Sequence, residues 1–321
     1  MRDAADRHSS EAAVFKDMFQ SFMQAMSAAI DERTPYNATH TRNMVQYGAC
    51  FLDYLNQKDD EAGRERRFSA KKKEQFLMSV WLHDIGKLVT PLGIMNKAVR
   101  LTGQETIRIW YRFRLMKLLL KIDHLEGRLD EAQLAEKLTQ IEEAGQLIEM
   151  VNGVRYLDDE LYEKVKELAR QTYLDEDGVE KPWITSKEFD MLTIRRGTLT
   201  DEERKIMEQH VVMTKKLLSE IHFGREFEEV PRWAADHHEF LDGSGYPRQL
   251  RGDQIAYEVR IITILDIYDA LTADDRPYKP GIPVPEALSI LRDMAEKEGK
   301  LDIELTRAFI ESGCWNCCSG G

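Results

Sequence analysis

The residues best suited to chemistry in this sequence lie in one stretch that begins with two adjacent histidines. His237 and His238 lead into an acidic, glycine-broken turn that ends in Tyr246-Pro247. Histidine is the commonest side-chain metal ligand. Glycine permits backbone angles that other residues resist, and proline fixes the backbone at the exit of the turn. The stretch therefore predicts a metal site built beside a tight turn.

A second cluster of metal-binding residue types lies upstream, in the run His83-Asp84-Ile85-Gly86-Lys87. It follows an apolar segment, residues 76–82, that would give the site a dry and fixed backing. Asp84 and Lys87 stand three residues apart, so on a helix their side chains share one face. On that shared face Lys87 would lie next to Asp84.

Together, the His83-Asp84 pair and the turn from His237 to Pro247 resemble the two signature elements of the HD-GYP family, metal-dependent phosphohydrolases that cleave cyclic dinucleotides. The resemblance covers residues 36 to 105 and 190 to 290, so both ends and the intervening segment lie outside it. It implies an all-α fold, an HD-superfamily helical bundle of the HD-GYP type, with metals buried between central helices.

The family pattern, carried over position by position, implies a ligand set for two metal ions. The first ion would take His40, His83, Asp84 and Asp266. The second ion would share Asp84 and add His210, His237 and His238. Zinc, iron and manganese all accept imidazole and carboxylate, so these residue types do not name the metal.

The residue one helical turn before His40 bears on the number of metal ions that the site holds. Some family members carry a glutamate at this position, where it helps to bind a third ion, but this sequence has Tyr36. Glu32 and Asp31 lie about 12 Å or more from His40 along a continuous helix, which is too far to share an ion. We therefore expect two divalent ions, iron or manganese first, with zinc, nickel, cobalt and magnesium as alternatives.

The resemblance also implies the reaction. Two ions about 3.5–4 Å apart can generate hydroxide at neutral pH and clamp the attacking and leaving oxygens. A metal-bridged hydroxide would open cyclic di-GMP to pGpG, and a second cleavage to GMP is left open. Asp84 and Lys87 would be catalytic, with the lysine stabilising the developing charge. The substrate contacts would be Tyr246, Arg276 and Lys279.

Other functions are weighed beside this one. One alternative keeps the enzyme class and changes the substrate to 3′,3′-cyclic GMP-AMP or a linear dinucleotide. Another is a catalytically weak signalling and interaction module, which a loss of ligands would favour. A generic HD nucleotidase is disfavoured because the paired-histidine and Gly-Tyr-Pro elements are complete. The candidate partners are the cyclic dinucleotide, a second copy of the chain, and a signalling protein such as a GGDEF protein.

The overall composition excludes several classes of protein. A formal net charge of −12 argues against a surface for a DNA or RNA duplex. No run of 18 apolar residues and no apolar signal core stand in the sequence, so we expect no membrane span and a cytoplasmic protein. The 4 cysteines do not make a disulfide framework for 321 residues. Those at 314, 317 and 318 lack the second pair that a zinc site needs.

Helical periodicity dominates the rest of the chain and predicts its organisation. Residues 1–35 would form a signalling or dimerisation helix, residues 36–310 the HD-GYP domain, and residues 311–321 an unstructured tail. A helical hairpin would be inserted at about 106–190, with its turn near 127–130. Its first apolar stripe would consist of Leu115, Leu118, Leu119, Ile122 and Leu125.

Two smaller patterns predict helix ends and contacts. Thr200 and Glu203 form a capping box at the start of the helix that carries His210. Near the N-terminus a heptad-like seam would either pack on the same domain or dimerise. The seam consists of Phe15, Phe19, Phe22, Met26 and Ala29.

Overall fold

The computed structural model describes residues 18, 21–30, 32–33, 39–273 and 281–317. Within these residues the regular structure is helical apart from one antiparallel pair of short strands, so the all-α prediction is confirmed. The helices are α1 (residues 21–30), α2 (His40–Glu61), α3 (Ala70–Leu82), α4 (Leu92–Met95), α5 (Gly103–Leu125), α6 (Glu131–Gly153), α7 (Asp159–Ala169), α8 (Ser186–Leu192), α9 (Asp201–Ser219), α10 (Val230–Ala235), α11 (Tyr257–Thr272), α12 (Val284–Glu296) and α13 (Ile303–Ser312). The strands are β1 (Thr172–Leu174) and β2 (Glu180–Pro182). None of the described helices is both long and apolar enough to cross a bilayer.

The chain divides into two compact units. The first consists of Met1–Pro91 and Ile206–Gly321, and the second is Leu92–Lys205. The predicted insertion at about 106–190 falls inside the second unit. Its predicted limits, like those of the N-terminal helix, stay predictions.

The core of the first unit is built around α11, a helix with apolar residues on nearly every side and therefore buried rather than amphipathic. Ile262 and Leu265 are fully buried. The Tyr268 ring packs edge-on against Tyr47 of α2 and Phe309 of α13, with centroids 5.5 and 5.4 Å away. This packing fixes the part of α11 that carries its acidic residues.

The N-terminal helix α1 packs on the same unit through Met23 and Ile30, which are buried beside residues of α3, α9 and α10. Phe22, a member of the predicted seam, is exposed. Phe15 and Phe19 lie outside the described residues. The described part of α1 therefore packs on its own domain, and dimerisation through the seam stays a prediction.

The second unit contains the predicted helical hairpin. α5 and α6 are joined by a turn in which Gly127 has φ of 76° and Asp130 caps α6 in a capping box with Gln133. The core of this unit lies between the hairpin, α7 and α8. After α7 ends at Ala169 the chain turns, and residues 172–174 pair with 180–182 as strands.

The apolar stripe predicted for α5 is wrong. Leu118, Ile122 and Leu125 are exposed, whereas Phe113 and Met116 are buried in the core of the unit. Apolar side chains lie on more than one side of α5. Their spacing alone therefore does not select the face that packs.

The prediction of an unstructured tail is also wrong for residues 311–317. α13 continues to Ser312, Gly313 reverses the chain with φ of 65°, and a 3-10 turn covers Cys314–Asn316. Cys314 is buried in the core of the first unit, and the Tyr268 hydroxyl donates to the Trp315 carbonyl at 3.3 Å. These contacts tie the C-terminal segment to α11.

Candidate metal centre

The candidate ligands come from five parts of the first unit. α2 supplies His40, the residues after α3 supply His83 and Asp84, α9 supplies His210, the residues after α10 supply His237 and His238, and α11 supplies Asp266. The structure brings all of them together, although they are spread over more than two hundred residues of sequence. They fall into two groups.

The first group joins α2 to the end of α3. His40, His83 and Asp84 offer ligand atoms that all lie within 4.8 Å of one another. Asp84 Oδ2 is 3.2 Å from His83 Nε2 and 3.9 Å from His40 Nε2. Asp266 Oδ1 is 3.4 Å from the same His40 nitrogen. These are the four residues expected to share one ion.

The second group consists of three histidines, His210, His237 and His238, whose ligand atoms also lie within 4.8 Å of one another. The remaining oxygens of the two carboxylates face this group. Asp84 Oδ1 is 3.5 Å from His210 Nε2, and Asp266 Oδ2 is 3.6 Å from His238 Nδ1. Asp84 therefore has one oxygen toward each group, as a carboxylate that bridges two ions requires.

Backbone carbonyls fix the orientation of three imidazoles. The Nδ1 atoms of His83, His210 and His237 lie 2.7, 2.7 and 2.6 Å from carbonyl oxygens three residues earlier in the chain. With Nδ1 donating to the backbone, each ring presents its Nε2 lone pair to the site. Such outer hydrogen bonds set the tautomer and the ring orientation of a metal-ligating histidine.

The polar atoms of the site fit a metal centre. Among the described residues, Asp84 Oδ1, His210 Nε2 and His237 Nε2 are buried and have no hydrogen-bond partner in the protein. An unpaired buried acceptor costs about 1–3 kcal/mol. Three such atoms aimed at one space are therefore accounted for by a cation that all of them can coordinate.

Burial keeps the second group neutral. It lowers the pKa of His237 well below the usual value, and the neighbouring His238 lowers it further. Burial likewise lowers the pKa of His210, and it lowers that of His238 to about 4 although Asp266 acts in the opposite direction. All three imidazoles are thus unprotonated at neutral pH, the form that binds metal.

The first group carries charge. Burial lowers the pKa of His40, but hydrogen bonds to Asp266 and Asp269 outweigh it and raise the pKa to about 10. Burial would raise the pKa of Asp84, but Lys87 and His83 outweigh it and hold the pKa well below its usual range. Metal binding at His40 would therefore release a proton.

One residue of the site was missed by the sequence reading. Asp269 Oδ2 lies 2.7 Å from His40 Nδ1, and Asn43 Nδ2 donates to Asp269 Oδ1 at 3.1 Å. Asp269 thus orients His40 so that Nε2 faces the ligand space. The signal was in the sequence, because Asp266 and Asp269 stand three apart on α11 and share a face.

Removing this carboxylate should weaken metal binding. We expect Asp269→Ala to lower the metal affinity by about 10–100-fold, because His40 loses the partner that fixes its tautomer. Asp269→Asn keeps an acceptor oxygen and should lose less. Competition with a chromophoric chelator measures both affinities, and native affinity in Asp269→Ala would show that His40 needs no such support.

The turn after the paired histidines is held closed by another residue that was not singled out from the sequence. Glu239 is buried, and its carboxylate accepts from the backbone N–H groups of Arg248 and Leu250 at 2.6 and 2.8 Å. The Tyr246 N–H donates to the His238 carbonyl at 3.1 Å. These bonds fold the turn back onto the histidines that precede it.

Of the three predicted substrate contacts, the structure describes only Tyr246. The half-buried Tyr246 ring lies 4.8 Å from the His238 ring, centroid to centroid, at the edge of the site. Lys87 Nζ lies 2.5 Å from Asp84 Oδ2, so the two side chains share a face as predicted. Arg276 and Lys279 fall outside the described residues, as does Tyr36.

Parts of this chain are similar in sequence to known proteins. The sequence profile of the HD domain matches residues 187–305. The 3'3'-cGAMP-specific phosphodiesterases 3 and 1 of Vibrio cholerae are 40% and 38% identical over 30% and 36% of this chain. The cyclic di-GMP phosphodiesterase PA4108 of Pseudomonas aeruginosa is 35% identical over 38% of it. The matches span 20%, 26% and 28% of those relatives' own lengths.

Among solved structures, Bd1817, a HDG"Y"P protein from Bdellovibrio bacteriovorus, matches 94% of this chain and 80% of its own. Its TM-score of 0.30 and 10% identity are too low to bear on the fold. The profile match and the curated relatives agree with the two signature elements and with the ligand groups they form. Residues 187–305 therefore match an HD domain, and the curated relatives and the two signature elements support the HD-GYP family for this chain.

Proposed function

We propose that the chain hydrolyses a phosphodiester bond of a cyclic dinucleotide at two divalent metal ions. One observation carries the proposal. Asp84 has one carboxylate oxygen toward each of two groups of candidate metal ligands, and buried ligand atoms in these groups have no hydrogen-bond partner among the described residues. Bound ions would supply a nucleophile at neutral pH and neutralise the charge of the phosphate. The residues proposed to hold them are His40, His83, Asp84, His210, His237, His238 and Asp266.

The side chains around these ligands would act on the substrate directly. Lys87 brings a positive charge next to Asp84, where it would stabilise the charge that develops on a phosphate oxygen. Tyr246 offers a flat aromatic face on which a base can stack. Arg276 and Lys279 are proposed as further phosphate contacts on the sequence alone.

The neutral histidines and the ionised carboxylates would make different contributions to metal binding. His210, His237 and His238 provide neutral nitrogen donors, so the second group adds no charge of its own to the site. Asp84 and Asp266 provide the negative charge that balances the metals. This donor set suits iron or manganese, which accept imidazole and carboxylate together.

We infer cyclic di-GMP as the substrate, opened to pGpG. The name of the Pseudomonas relative supports this choice. The names of two Vibrio relatives favour a second candidate, 3′,3′-cyclic GMP-AMP. The two substrates share the phosphodiester ring, so the metal site and Lys87 serve either, and the bases decide between them.

Turnover of the two nucleotides tests the proposal. Purified full chain, reconstituted anaerobically with Fe(II) or Mn(II), is given each nucleotide alone and then both in equal amounts, and chromatography separates the products. We expect linear dinucleotide from cyclic di-GMP at the higher rate. Faster loss of cyclic GMP-AMP would reverse the substrate choice. Failure to cleave either nucleotide with both metals bound would contradict hydrolysis and favour a signalling module.

A further inference from the structure

Three cysteines from distant parts of the chain meet in the first unit, in a group that shares no residue with the histidine–aspartate centre. The sequence has 4 cysteines, and the structure describes those at 50, 314 and 317. Their Sγ atoms all lie within 4.8 Å of one another, and those of Cys50 and Cys317 are 2.7 Å apart. Every cysteine in the described part of the chain therefore belongs to this one cluster.

Two elements bring the thiols together. Cys50 lies in α2, whereas Cys314 begins the 3-10 turn that follows α13 and Cys317 directly follows that turn. Gly313, in the left-handed conformation, turns the chain back after α13. The turn is then held by the Cys317 N–H, which donates to the Cys314 carbonyl at 3.1 Å, and by the Trp315 indole, which donates to Ile310. The thiols thus sit on a framework that is fixed by other contacts.

Core packing does not account for this cluster. A free cysteine usually behaves as a small buried apolar side chain, and Cys314 fits that description. Cys317, however, is exposed and Cys50 is only half-buried. These two thiols gain little from burial, yet the sulfur atoms of both lie within 4.8 Å of the Cys314 sulfur.

The spacing of the sulfur atoms suits a metal ion. Thiolates bind zinc at about 2.3 Å in tetrahedral geometry, so two sulfurs on one ion lie about 3.8 Å apart. The three sulfurs lie within 4.8 Å of one another, and the 2.7 Å between those of Cys50 and Cys317 would open by about 1 Å when an ion binds. A disulfide would use two of the thiols and leave the third beside it without a role, whereas a cation takes all three.

We propose that Cys50, Cys314 and Cys317 bind one thiophilic divalent cation of the zinc class, at a site separate from the histidine–aspartate centre. The ion would replace the three thiol protons and leave a coordination position to solvent. It would clamp the C-terminal segment to α2, the helix that begins with His40. Because Trp315 in the same segment accepts a hydrogen bond from Tyr268 of α11, the clamp would also steady the helix that carries Asp266.

Cobalt distinguishes this site from the histidine–aspartate centre, because only thiolate ligands give an intense near-ultraviolet charge-transfer band. Full chain, reduced and freed of metal, is titrated with Co(II). We expect the band to saturate at about one ion per chain and to vanish when Zn(II) is added. Cys50→Ser and Cys317→Ser should lose most of it, whereas His237→Gln, which damages the other centre, should keep it.

The controls separate ligand loss from misfolding. Cys317 is exposed, so its replacement by serine should leave the circular dichroism spectrum unchanged. Asn316→Ser alters the same turn without removing a thiol and should keep the full band. The assignment is overturned if the reduced native chain gives no band, or if Cys50→Ser gives a band of native intensity.

Discussion

An Asp84→Asn variant is expected to lose cyclic dinucleotide hydrolysis by at least about a thousandfold and to bind fewer metal ions than the native chain. The substitution keeps the size of the side chain but removes its charge and turns one oxygen into an amide nitrogen, which cannot accept or ligate. One carboxylate oxygen is 3.2 Å from His83 Nε2 and the other is 3.5 Å from His210 Nε2. Whichever oxygen is lost, one ligand group is left without its shared member.

Metal content by elemental mass spectrometry and initial rates of product formation measure the two effects. Asp84 also pairs with Lys87, so a Lys87→Met variant is needed beside it. That variant leaves both oxygens in place and should keep the metals while losing rate. Asp159→Asn, at a carboxylate that is 94% exposed in the other unit, is the matched control. Native rates and two bound ions in Asp84→Asn would refute the bridging role.

The ligand groups were predicted from the resemblance to the HD-GYP family, and that resemblance rests on short motifs. His83 and Asp84 are adjacent, and so are His237 and His238, so the local chain already places them together. The helical class followed for a similar reason, since periodicity is a local property. The Thr200–Glu203 capping box is another local pattern, and it is confirmed by reciprocal hydrogen bonds of 2.9 and 3.2 Å.

Features that depend on which helices meet were not predictable in the same way. Cys50 and Cys317 are separated by most of the chain, and nothing in the local sequence of either points to the other. The packed face of α5 was misjudged because several faces are apolar and the partner helix makes the choice. The support of His40 by Asp269 likewise needs α2 to lie against α11.

Gly86, inside the His-Asp motif, marks the closest approach between the turn after α3 and α9. The Gly86 N–H donates to Thr214 Oγ1 at 3.0 Å, and that hydroxyl donates to the His83 carbonyl at 2.9 Å. A Cβ added at Gly86 would lie 2.6 Å from the Thr214 nitrogen and closer still to the His210 carbonyl oxygen. The backbone of α9 therefore leaves a methyl group no room.

We therefore expect Gly86→Ala to push α9 away from the turn, to separate His210 from Asp84, and to destabilise the chain by about 3 kcal/mol. Hydrolysis should fall at least about a hundredfold, because a displacement of about 1 Å at a catalytic site costs that much. Gly145→Ala, in mid-helix α6 where an added Cβ meets nothing within 4 Å, should instead be neutral or slightly stabilising. Urea unfolding and metal content test both variants. If Gly86→Ala unfolds at the native midpoint with both metals bound, the close contact between α9 and the turn is not what positions His210.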